Sequence, residues 1–356
     1  MPESVKISIS EMTHWCKSIL RQWVEDDYVV NTWTEIQINR DIIGDFPRGT
    51  ARLESIIDRI NSGIVTKQLE VTTEHITPIS ARVFSTYRNW PDEVARKGAS
   101  LASSLADTYG IGIVAVPKPN IIGEGLKPIL SANQIGLIIT QNNPLLNKGI
   151  TDLNVIGNNP LAICAPGTPP FLFDGSLSTH DIRHSAVGLK EYADQYRILP
   201  PGIVQDANGE ASQDLNILYK ILEGDRSCGS FPPLGGTKGL WLAMGMEFIA
   251  GALTGGFFGN APGKPWGEGA IIFAFDSKLF NSAHMIKQIQ DYLKQFKTYP
   301  GYHSFEISNQ VMSRGWIEYP KSQLDSIIRV SNRSGINMNF ESLRSLEMNQ
   351  FPHSDS

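Results

Sequence analysis

The sequence predicts an α/β protein with a helical start, a sheet in its centre and helices around and after that sheet. Three observations carry the prediction. Helical spacing of apolar residues recurs at 52–63 and 92–109. Short apolar runs rich in β-branched residues, bounded by Gly, Pro or Asn, crowd the middle of the chain. One such run directly follows a helical stretch, which joins the two kinds of element in one layered domain. At 356 residues the chain is long enough for two or three domain-sized units and a sizeable core.

Taken in order, Leu53, Ile56, Ile57 and Ile60 fall on one helical face, and Asn61-Ser62-Gly63 supplies the stop. Asp92–Tyr109 is a second amphipathic helix, entered at Pro91-Asp92 and ended at Gly110, and Ile111–Val116 after it is a strand. Ile135–Thr140, Leu161–Ala165, Phe171–Phe173 and Ala270–Phe275 are further strands. Leu240–Gly259 is apolar and about the length of a membrane span. Glu247 in its middle would be costly in lipid, so a buried core helix ending in glycines is expected. Ser282–Phe296 and Lys321–Gly335 are later helices, and the polar tail Glu341–Ser356 frays.

Composition excludes several functions. With 31 basic and 36 acidic residues the net charge is −5, and no long basic run offers itself to nucleic acid. Cys16, Cys164 and Cys228 share no close spacing, so neither a disulfide framework nor a zinc site is indicated and a reducing compartment fits. The first fifteen residues contain no apolar signal core, which makes the cytoplasm the expected location. His180 and His184 stand at i and i+4 beside Asp181, a spacing that suits a metal pair or two surface histidines, the latter favoured. Gly110-Ile-Gly112-Ile-Val-Ala115 has the letters of a dinucleotide fingerprint, yet it follows a helix and opens a strand, the reverse of the required context. Its glycines are expected to end a helix. Gly263-Lys264 is followed by Pro265 where a phosphate loop needs Ser or Thr, and Phe258 stands where its first Gly belongs.

Other segments carry more. Ile156–Pro160 reads IGNNP, Phe173–Ser178 reads FDGSLS and Leu234–Gly239 reads LGGTKG, and the order and spacing of the three resemble the type-2 malate/L-lactate dehydrogenase family. The resemblance runs from about Gly44 to about Gly335. It implies a family-specific nicotinamide-binding domain with a central mixed sheet at 81–280. It also implies a helical substrate and dimer domain built from 1–80 with 281–356. NAD or NADP, a small carboxylate-bearing substrate and a homodimer come with it. Gly123, Asn142, Asp174, Ser176, Ser178, Thr237, Lys238, Gly239 and His303 are the cofactor-side residues that the resemblance implies. The lysine suits that place because an ammonium is a compact point charge for a phosphate or carboxylate. Asp206 and Gly209 match a family turn, where turn chemistry suffices to explain them.

Two family histidines have no counterpart. Gly44–Leu53, GDFPRGTARL, is similar to the family's turn before a helix, but Pro47 and Arg48 occupy its serine and histidine columns. In Val114–Gly125 the second histidine column holds Ile121. Carbonyl reduction gains a factor of about 10²–10⁴ from a positioned acid, and histidine suits that work. Arg48 keeps its proton, so it either stabilises an oxyanion or clamps a carboxylate, or it simply fills a surface turn. Arg52 matches the family's arginine and is the candidate for the substrate's carboxylate. Tyr87, His180, His184 and Lys238 are conceivable proton carriers. The reading that follows is an NAD(P)H-dependent reductase for a 2-oxo acid or cyclic imine. A cofactor-binding relative with other chemistry (oxidation, elimination or isomerisation) and a non-catalytic homologue are the alternatives.

Overall fold

The computed structural model describes residues 4–85, 89–147, 156–180, 198–223, 225, 227–256, 268–336 and 340. Tyr87, His184, Gly263–Pro265 and the tail 341–356 lie outside the described residues. The chain divides into two compact units, one made of residues up to Glu70 with those from His303 on, the other of Val71–Tyr302.

In the first unit, strand Ser4–Ser8 pairs antiparallel with Trp316–Pro320, so segments more than 300 residues apart share one small sheet. Ser8 caps helix Ile9–Leu20 in a reciprocal box with Glu11, and Asp26 caps helix Asp27–Ile42. A 3₁₀ turn, Phe46–Arg48, leads into helix Arg52–Asn61, whose Leu53, Ile57 and Ile60 are buried as their spacing predicts. Helix Lys321–Ser334 ends at Gly335 in the left-handed region (φ +68°).

The second unit is built on a seven-stranded sheet. Across it run Val71–Thr77, Ser80–Ser85, Ile111–Pro117, Gly269–Phe275, Ile135–Thr140, Leu161–Ala165 and Phe171–Gly175. Only Ser80–Ser85 with Ile111–Pro117 is parallel; the other pairs are antiparallel, so the sheet is mixed. The expected α/β class with a central mixed sheet stands. Helix Pro91–Tyr109 covers the sheet. Gly110 ends it with φ +84°, and a Cβ on Gly112 would lie 2.0 Å from the Ala102 carbonyl oxygen. The glycines that mimic a dinucleotide fingerprint therefore stop a helix and let the next strand lie against it.

Residues 257–259 lie outside the described residues, and the rest of the stretch, Leu240–Gly256, departs from the expected buried helix. Helix Thr237–Met246 continues as a π-helical segment, Glu247–Ala252, and only one side is covered. Leu240, Ala243, Met246 and Ala250 are buried, whereas Trp241, Leu242, Phe248 and Leu253 are more than half exposed. Uniform apolarity in the sequence gave no face to read, and Glu247 proves to be on the buried side. No helix among the described residues is long and apolar enough to cross a membrane. The covered side joins a cluster of Leu146, Ile156, Leu177, Val204, Leu218 and Phe231, a second core beneath the IGNNP, FDGSLS and LGGTKG segments.

Candidate active site

Backbone hydrogen bonds link those three segments directly. Leu177 N–H donates to the Asn158 carbonyl at 2.7 Å, and Leu234 N–H donates to the Leu177 carbonyl at 2.8 Å. Asn142 joins on the other side: its N–H donates to Asn159 Oδ1 at 2.8 Å and its amide to Asn158 Oδ1 at 2.6 Å. Ser176 and Ser178 hydroxyls lie 2.7 Å apart, and Ser178 donates to the His180 carbonyl. Asp174 accepts from Gly123 N–H at 2.9 Å, across 51 residues of chain. Asn142 is thus bonded to the IGNNP turn and Gly123 to Asp174 of FDGSLS, the segment that also holds Ser176 and Ser178.

The patch ends at a helix start. Gly235 and Gly236, both with φ above +60°, bring the chain into Thr237–Met246, and a Cβ on Gly239 would stand 1.8 Å from the Leu234 carbonyl oxygen. Only glycine permits that approach. Lys238 is exposed on the first turn. A helix N-terminus, a glycine turn and a lysine together form a setting for an anionic group. These residues fit a phosphate-bearing nicotinamide cofactor.

Glu247 underlies the patch. It is 3% exposed, and its Oε1 accepts from Asn159 Nδ2 at 2.8 Å and from Gly157 N–H at 3.2 Å. Burial raises its pKa, against the lowering effect of the Asn159, Gly157 and Gln141 donors. Asp92 plays the same part for the loop after strand Ile111–Pro117: it accepts from Asn120 N–H (2.7 Å), Asn120 Nδ2 (3.1 Å) and Ile121 N–H (2.9 Å). Arg96 and Glu124 pair across the same loop at 2.8 Å, and Ile121 is buried. Sequence reasoning missed Glu247 and Asp92 as organisers, although a carboxylate within an apolar stretch was a usable signal for Glu247. It also missed a cavity of about 400 Å³ beside Ser85, Pro117, Gly255 and Glu268. At its rim Lys118 Nζ pairs with Glu268 Oε2 at 3.1 Å.

Arg48, Arg52 and His303 fall in the other unit. Arg48 does not fill an exposed turn: its side chain is 17% exposed and its Nε stands 3.9 Å from buried Asp45, which Arg40 also grips at 2.5 Å. Arg52 opens helix Arg52–Asn61, and His303 is exposed near the start of helix Tyr302–Arg314. His180 is exposed beside Thr179. Asp206 and Gly209 form a turn, Asp206 Oδ1 accepting from the N–H groups of Asn208 and Glu210.

The sequence profile of the family described as malate/L-lactate dehydrogenase matches residues 7–328. The chain belongs to that family. It is 23% identical over 355 residues to an L-sulfolactate dehydrogenase of Methanothermobacter thermautotrophicus, covering 95% of this chain and all of the relative. Over 265 residues it is 25% identical to a Δ1-pyrroline-2-carboxylate/Δ1-piperideine-2-carboxylate reductase of Pseudomonas syringae pv. tomato, covering 71% and 74% of the two chains. Among solved structures, a malate dehydrogenase of Entamoeba histolytica superposes with a TM-score of 0.81 at 19% identity over 95% of this chain and 100% of that one. As a malate/L-lactate dehydrogenase family member, the protein is an oxidoreductase of mixed α/β fold.

Proposed function

We propose that this family member is an NAD(P)H-dependent reductase acting on a small carboxylate-bearing substrate, a cyclic imine ahead of a 2-oxo acid. The observation that supports it best is the joining of IGNNP, FDGSLS and LGGTKG into one hydrogen-bonded patch that ends at a glycine-led helix start with an exposed lysine. Lys238 and the Thr237–Gly239 N–H groups would hold the cofactor's phosphates, and Asp174 with Gly123 would border its nicotinamide. The cofactor supplies the hydride when bound.

Arg52 is the substrate's carboxylate partner in this reading, because a guanidinium presents two parallel donors to a carboxylate. Arg48 and Ile121, in the family's histidine columns, provide no proton at neutral pH, since guanidinium stays charged and isoleucine has none to give. An iminium nitrogen already carries its proton, so its reduction dispenses with the acid a ketone requires. That favours the imine. A homodimer in the cytoplasm belongs to the same reading.

Titration with NADH and NADPH, followed by reduced-nicotinamide fluorescence, tests the cofactor assignment. Micromolar binding of one of them is expected, weakened about tenfold or more in Lys238→Ala, the scale of one lost charge-assisted bond. Binding of neither by the wild-type protein would remove the reductase reading.

A further inference from the structure

Asp41 lies on the inner side of helix Asp27–Ile42. It is buried, and what it accepts comes from two residues: Thr50 N–H at 3.2 and 3.3 Å to its two oxygens, the Thr50 hydroxyl at 2.6 Å and the Tyr319 hydroxyl at 3.0 Å. Thr50 sits between Arg48 and Arg52. With the Gln37 amide turned so that its nitrogen faces the Arg48 and Gly49 carbonyls, which satisfies both of its ends, this side chain one helical turn before Asp41 donates to them at 2.8 and 3.1 Å. A Cβ on Gly49 would stand 1.7 Å from Asp41 Oδ1, so the turn is pressed against this carboxylate. Gln323 completes the cluster by donating to the Thr50 hydroxyl oxygen at 3.1 Å.

We propose that Asp41 is a positioning residue for the Arg48–Arg52 turn, its ionised carboxylate holding the backbone that carries both arginines. The proposal rests on the reading that Arg52 binds the substrate's carboxylate. An ionised carboxylate only accepts, which matches the donors around it; a protonated one gives up an acceptor and must place its own proton, so that a Thr50 or Tyr319 hydroxyl has to turn from donor to acceptor. Burial pushes Asp41 up to about 7, the Thr50 and Tyr319 donors work against it, and the Asp45 charge adds to it. The facing groups leave the titration to Asp41. Tyr319 is driven well above its ordinary value by burial and Cys16, from helix Ile9–Leu20, up to about 12, so both stay neutral. Asp45 is paired with Arg40 and Arg48. Thr50, Gln37 and Gln323 do not titrate.

Hydrogen exchange of the full-length protein, read by mass spectrometry from about pH 6 to about pH 8 and corrected for intrinsic rates, tests this. In the wild type, peptides covering Arg48–Leu53 should lose protection about tenfold as the pH falls, while helix Ile9–Leu20 shows no such loss. Asp41→Asn should hold the turn at low protection with no pH dependence. Tyr319→Phe, which removes one donor and leaves the carboxylate, should keep the dependence with its midpoint moved upward. Matching profiles in wild type and Asp41→Asn, or a loss in Asp41→Asn spread equally over Ile9–Leu20, would overturn the proposal. Steady-state reduction of Δ1-piperideine-2-carboxylate adds the functional arm: Asp41→Asn should raise KM about tenfold with kcat within about twofold, as expected for lost ground-state binding. An Arg52→Ala enzyme with unchanged KM would sink the substrate reading alone, because the exchange profiles still decide whether Asp41 places the turn.

Discussion

Gly239 shows how one absent side chain fixes the candidate cofactor site. The atom in its way is the Leu234 carbonyl oxygen, backbone that cannot rotate aside, whereas Gly245 on the same helix has nothing within 4 Å of its missing Cβ. Gly239→Ala must therefore push the helix start off the Leu234–Gly236 turn. We expect it to cost about 1–3 kcal/mol in denaturant unfolding and to weaken nicotinamide binding about tenfold. Gly245→Ala is the matched control, expected to be neutral or stabilising by up to about 1 kcal/mol. Equal losses in the two variants would remove close approach as the explanation. At this scale the sequence was legible where a motif is contiguous, as in LGGTKG. It was silent where the partner is distant, as for Gly123 with Asp174 or Asp41 with Tyr319, 278 residues apart.

The elements were legible according to how plainly each one's environment is written in its pattern. Strands Ile135–Thr140 and Leu161–Ala165 follow from their apolar runs, and helices Arg52–Asn61 and Lys321–Ser334 from periodicity and a glycine stop. Hairpin Val71–Ser85 went unread because Val71–Thr77, VTTEHIT, is mostly exposed and carries no apolar alternation. The apolar stretch after Thr237 misled for the opposite reason, having apolar residues on both its covered and uncovered sides. Junctions between elements were unreadable, and Asp92 is the clearest. It stands in the first turn of helix Pro91–Tyr109 and holds three donors of the loop after strand Ile111–Pro117. Asp92→Ala leaves the buried Ile121 N–H and the half-buried Asn120 donors without their acceptor, at a cost of about 1–3 kcal/mol. Calorimetry should show that loss, and fluorescence titration should show weakened NAD(P)H binding, since Gly123 closes the same loop. Unchanged unfolding would mean that the loop is held by the Arg96–Glu124 pair instead.

At the scale of the whole molecule, Asp41 sets a position against a stability. Its folded value of about 7 lies above the ordinary carboxylate value of about 3.9, so between these the folded chain holds a proton that the unfolded chain has released. The sign follows: this contribution to stability is fully present below about pH 4 and is lost as the pH rises through about 7. The form that is cheaper to bury is the protonated one, and the form that holds the Arg48–Arg52 turn is the ionised one. Above about pH 7 the chain therefore gives up folding free energy to keep its turn in place, the kind of cost that functional sites impose on stability. Urea unfolding of wild type and Asp41→Asn at about pH 5 and about pH 7.5 measures it, because their difference cancels the other titrating groups. The wild type should lose roughly 2–3 kcal/mol more than the variant between the two pH values. Parallel losses would show that the buried carboxylate keeps the same charge throughout the interval. The exchange profile of the turn would then have to be flat as well, so the two experiments stand or fall on one titration.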